Sequence, residues 1–178
     1  MKIPFSKRQA ILLALLPLVV GCSCKVFRHD VEASGELLGV EVHLIGISDD
    51  VHIESGPDGW DKIQMKEYFD PANKLGQVLR GSAKPTTKVV HFTKPEAVSS
   101  LLNKSDLIWD EWIANKATYL YILAWPSKPD ATALRLPLGP CCWGKSGKPI
   151  SVKISNWGIH LTTSRQAINK KCLARLRD

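Results

Sequence analysis

Carboxylates, imidazoles and thiols are the groups in this chain that could do chemistry, and their spacing narrows what that chemistry is. Asp106 and Asp110 lie one helical turn apart, with Glu111 beside them and Trp109 and Trp112 interleaved. Two carboxylates on one helix face are the tools of a glycosidase. The same acidic bias near a helix start is also the ordinary complement of the helix dipole, and that is the preferred reading. The histidines are His29, His43, His52, His91 and His160. Four fall in strand-like segments, and none shows a His, Asp or Glu at ligand spacing on one face. They read as sheet histidines. Ser55 sits between Glu54 and Gly56 without a nucleophile-elbow pattern or an assignable triad. Gly139, Gly144 and Gly147 lie in a loop, not at a strand-to-helix phosphate cradle. No catalytic residue is assigned. No metal, cofactor or small-molecule substrate is implied.

The thiols are more informative. They are Cys22, Cys24, Cys141, Cys142 and Cys172. Only Cys141 and Cys142 are close together, and no histidine is near them, which disfavours a zinc site. Cys22 stands behind a leader. Lys2, Lys7 and Arg8 precede an apolar run from Ala10 to Val20, and Gly21 follows. This is the order of a charged region, an apolar core and a small residue at a cleavage point. Eleven residues span roughly 16 Å as a helix, too short for a bilayer core of about 30 Å. Pro17 suits a processed signal better than a stable helix. The sequence Val19-Val20-Gly21-Cys22 resembles the lipobox of bacterial lipoproteins. The resemblance implies cleavage between Gly21 and Cys22, a diacylglyceryl group on the Cys22 thiol, and an acylated new N-terminus. In that family the second mature residue helps choose the membrane. Ser23 in place of Asp implies the outer membrane, with the domain facing the periplasm.

An exported chain puts its other thiols in an oxidising compartment. Four remain once Cys22 is lipidated, which permits two disulfides in three connectivities. A bridge between the neighbours Cys141 and Cys142 is strained. Pairing one of them with Cys172 is preferred, because it pins the tail to the domain. The formal charge is +7. The leader supplies three of these charges, and residues 164–178 supply a net four, so the body is neutral. No basic face interleaved with aromatics appears there, and nucleic acid is not an expected partner.

The elements that must position these residues are mostly strands. Val40 to Ser48 alternates and is β-branched. Thr87 to Thr93, Thr118 to Trp125 and Ala133 to Leu138 read the same way, with Pro137 favouring a sheet edge or a strand end. Ile150 to Ile154 and Ile159 to Thr162 flank a turn at 155–158 and predict a hairpin. Trp60 to Asp70 is ambiguous between helix and strand. Pro95 opens a helical region, interrupted at 103–106, with a second helix from Leu107 to Asn115. The expected organisation is a signal at 1–21, a polar tether at 22–38, a β-sandwich at 39–163 and a basic tail at 164–178. Ile168, Cys172 and Leu176 at spacings of four predict a helix in that tail. The expected fold class is therefore mainly β, an antiparallel β-sandwich, transthyretin-like or similar, with a short helical insert and a C-terminal helix.

Six tryptophans are a high count for a chain of this size. Trp109 and Trp112 share a helix face and are expected to pack on the sheet. Trp143 and Trp157 fall in turns, where an aromatic is either a folded-back plug or an exposed partner contact. The lipobox, the early strand at 40–48 and the later strand, edge and hairpin pattern together resemble the outer-membrane lipoprotein of type VI secretion systems. That resemblance implies a transthyretin-like sandwich that holds another envelope protein. The Trp-Asp-Glu-Trp segment, the Cys141-Cys142 pair and the basic tail depart from it, so no binding residue is carried over. The expectation is a non-enzymatic lipid-anchored envelope protein, an assembly or anchoring component. The alternative is a lipoprotein inhibitor or immunity protein against an envelope-targeting toxin or enzyme.

Overall fold

The alternating segments pair into two four-stranded sheets. The computed structural model describes residues 28–35, 38–49, 59–60, 63–83, 86–93, 98–126, 128, 130–139, 142–143, 148–155, 157–164, 168 and 172. The strands are β1 (Val31–Ser34), β2 (Val40–Ile47), β3 (Thr87–Phe92), β4 (Val98–Leu102), β5 (Tyr119–Trp125), β6 (Leu134–Pro137), β7 (Ile150–Ser155) and β8 (Gly158–Leu161). The helices are α1 (Met65–Phe69), α2 (Lys74–Ala83) and α3 (Ile108–Ala114). One sheet runs β4-β1-β7-β8 and the other β3-β2-β5-β6. Every pair is antiparallel except β1 with β7. The fold is mainly β, a sandwich of two antiparallel-rich sheets with small helical parts. Among the described residues no helix is long and apolar enough to cross a membrane.

The period-2 pattern explains the core. Val31 and Ala33 of β1 and Val152 and Ile154 of β7 face Val42 and Leu44 of β2 and Leu120 and Ile122 of β5. The opposite face of β2 and β5 is also buried. There Ile45, Ile47, Tyr121 and Leu123 pack under Trp60, Ile63, Tyr68 and Leu79, so α1 and α2 form a third layer. The near-continuous apolar run of β5 fits a strand covered on both faces.

Local chemistry fixes the helices. Gln64 and Glu67 form a capping box on α1. Asn73 Oδ1 accepts the Gly76 N–H at 2.8 Å at the start of α2. Helix α3 closes the end of the sandwich where β1 begins and β4 stops. Its Trp109 and Trp112 are fully buried and meet edge to face, with centroids 5.0 Å apart. Gly46 makes room for them, because a Cβ there would lie 2.5 Å from the Trp112 ring.

Three expectations are corrected. The tether at 22–38 overlaps the domain: Val31–Ser34 is an interior strand, with Val31 and Ala33 fully buried. Four residues are too few to show a period, and pairing with β4 and β7 decides them. The helical region from Pro95 gives way to strand β4, whose buried Ser99, Leu101 and Leu102 follow the sheet. In the tail, Ile168 forms a bridge with Trp143 and is not in the helix expected for it, whereas Cys172 is helical. Most of 164–178 lies outside the described residues, as do the signal, Gly21, Cys22, Cys24 and Cys141.

Cys142 and Cys172 form a disulfide, closing a separation of 30 residues. Cys172→Ser is expected to lower stability by about 2–3 kcal/mol, within the usual range for one bridge. Urea denaturation with and without reductant measures it. Wild-type midpoints that coincide under both conditions would remove the bridge from the account.

Candidate functional site

Strand register sorts the surface into two ends. At one end β1 begins, near Leu102 and Ile150, and α3 caps the sheets. At the other end lie the connections β1–β2, β3–β4, β5–β6 and β7–β8. Among the described residues eight large apolar side chains are exposed. Four of them, Leu38, Val98, Trp125 and Trp157, belong to this loop end. Leu107 and Ile113 are exposed at the α3 end, so half of the exposed large apolar side chains among the described residues lie at the loop end.

The two turn tryptophans divide. Trp157 is 68% exposed, and the Lys128 ammonium sits over its ring, 3.4 Å from the centroid. Trp143, expected as a possible partner contact, is buried. Its Nε1–H donates to the Pro137 carbonyl at 2.6 Å, beside the Cys142–Cys172 bridge and against His29. Trp143 is a plug, and its place on a binding surface is withdrawn. Trp125, not singled out from sequence, is the other exposed aromatic at this end among the described residues. It stacks on Phe69 at 6.0 Å and pairs in register with Glu41.

A polar network runs beside Trp125. Glu41 and His43 point to one face of β2, and His91 stands opposite Glu41 on β3. Glu41 Oε1 lies 2.5 Å from His43 Nε2, and Oε2 lies 3.6 Å from His91 Nδ1. His43 Nδ1 is 3.0 Å from the Tyr68 hydroxyl. This corrects the reading that no histidine has a close carboxylate. The i, i+2 spacing of Glu41 and His43 could have shown it. Burial lowers the His43 pKa although Glu41 opposes it, and burial raises that of Tyr68. A neutral His43 then accepts from the Tyr68 hydroxyl and donates Nε2–H to Glu41. Tyr68 is 1% exposed, so its hydroxyl is walled off from any substrate. The network holds α1 on the sheet.

Asp106 lies before α3 and not on a shared helix face with Asp110, and both carboxylates are ion-paired. Although partial burial pushes the Asp106 pKa up, the Lys88 ammonium at 2.5 Å and the Asn103 N–H together hold it below the ordinary range. Asp110 pairs with Arg28. A glycosidase acid needs the opposite shift. Among the described residues, no group of three His, Cys, Asp or Glu side chains is placed to hold a metal ion. Comparison with protein-family models, curated proteins and solved structures returned no match.

Proposed function

We propose that the chain is a lipid-anchored envelope protein of the outer membrane that works without catalysis, docking a second envelope protein at its loop end. The observation that carries this reading is the opposition of the two ends. The chain enters β1 at the α3 end, at Arg28 and Asp30, while Leu38, Val98, Trp125 and Trp157 lie exposed at the other. The six residue steps from Cys22 to Arg28 reach at most about 20 Å. A lipid on Cys22 therefore holds the α3 end near the bilayer and turns the apolar rim toward the periplasm. Acyl chains supply the membrane affinity, and a rim of aromatics suits a protein contact.

A photo-crosslinker at Trp125, used in intact cells, tests the docking. A cross-linked envelope protein is expected, lost when Leu38 and Val98 are changed to Asp. Equal cross-linking from position 113 on α3 would contradict the assignment of the rim. An inhibitor of an envelope-directed toxin would use the same rim, and the exposed Trp157 favours that second reading. A toxin or hydrolase as the cross-linked protein would select it.

A further inference from the structure

The two edge strands β6 and β8 lie side by side on one flank of the sandwich, and a cavity of about 260 Å³ opens between them. The exposed Trp157 and Lys128 are among its lining residues. Ala131, Ala133, Leu134 and Ile159 give it an aliphatic floor, and Asp130, Thr132 and His160 give it hydrogen-bonding groups. The cavity shares Trp157 with the loop-end rim, whereas Trp125 lies on the outer face of the other sheet.

We infer that this cavity binds one pyranose ring of an oligosaccharide. Three features select that chemistry. The Trp157 indole is 68% exposed. Lys128 lies over one of its faces, 3.4 Å from the centroid, and the exposed remainder of the ring offers stacking surface. The wall is mixed, so a purely apolar ligand would leave Asp130, Thr132 and His160 desolvated and unpaired. Its one ammonium and one carboxylate offset each other, which disfavours a charged ligand. A pyranose matches all three, with an apolar C–H face for the indole and a ring of hydroxyls for the polar groups. The volume lies below the roughly 300–1,000 Å³ of sites for drug-sized ligands, so one ring enters and the rest of the glycan crosses the rim. The inference does not depend on lipidation or on the protein partner.

Calorimetric titration tests it, with the purified full-length protein in a detergent that lacks a sugar headgroup. The probes are chitotriose and cellotriose. Saturable binding of at least one, in the millimolar range expected of a single buried ring, is the expected result. Trp157→Ala should weaken it tenfold or more with an unchanged melting temperature, and Asp130→Asn should weaken it severalfold. The Asp130→Asn, His160→Ala pair provides the same readout if Trp157→Ala fails to fold. No saturable heat up to about 10 mM of either probe, or affinity in the variants within twofold of wild type, would overturn the proposal.

Discussion

Trp112→Ala is expected to destabilise the domain by about 3–5 kcal/mol, the usual cost of removing a large buried aromatic. Trp112 is fully buried on α3, against the backbone of Gly46 and the edge of Trp109. Its Nε1–H donates to the Thr86 carbonyl at 2.7 Å. Gly46 carries no side chain that could swing into the space, so the void persists. That loss is a large fraction of the stability of an ordinary domain. Urea denaturation should show the midpoint falling by about 1 M or more at constant slope. Trp112→Phe should recover more than half of it, because it refills most of the volume and lacks only the donor. A midpoint within about 0.3 M of wild type for Trp112→Ala would contradict the packing account.

Cys22→Ser is expected to abolish lipidation and anchoring at the outer membrane. Burial of acyl chains contributes about 0.8 kcal/mol per methylene, and a single chain binds only marginally. A triacylated cysteine would hold the protein firmly, whereas a serine accepts no thioether. The variant should take up no labelled palmitate. It should also leave the outer-membrane fraction, accumulating as uncleaved precursor. Undiminished palmitate labelling would defeat the assignment of Cys22.

The strands that announced themselves are those whose local pattern and tertiary role agree. Val40–Ile47, Tyr119–Trp125 and the hairpin of Ile150–Ser155 and Gly158–Leu161 alternate or run apolar, and they lie in the sheets as expected. Val31–Ser34 was misread because Val-Glu-Ala-Ser carries only two apolar residues. Its strand state comes from two neighbours distant in sequence. Val98–Leu102 follows Pro95 and Glu96, which mimic a helix start, and its apolar residues at i, i+3 and i+4 fit a helix better than the strand, in which Val98 is exposed. Helix Lys74–Ala83 went unread because Gly76 and Gly81 weaken its propensity. Gly76 is needed, since a Cβ there would meet the Glu67 carbonyl oxygen at 2.2 Å.

The site was legible only in part. Trp143 and Trp157 look alike in sequence, each in a polar turn. The Pro137 carbonyl and the Cys142–Cys172 bridge bury the first. The short β7–β8 turn leaves the second exposed. Trp125 ends a buried strand, and nothing local distinguishes it from its neighbours. Its exposure follows from its place at the last rung of the β2–β5 ladder. The pairing of Glu41 with His91 depended on the β2–β3 register, which no single strand encodes.

The claim on which the account turns is a lipid at one end and a protein partner at the other. Mass spectrometry of the N-terminal peptide of the membrane-extracted protein tests it most directly, done on the same preparation cross-linked through position 125. The account predicts a peptide that begins at an acylated Cys22, together with one envelope protein joined at the rim. A peptide that runs unbroken from Gly21 into an unmodified Cys22 would contradict it.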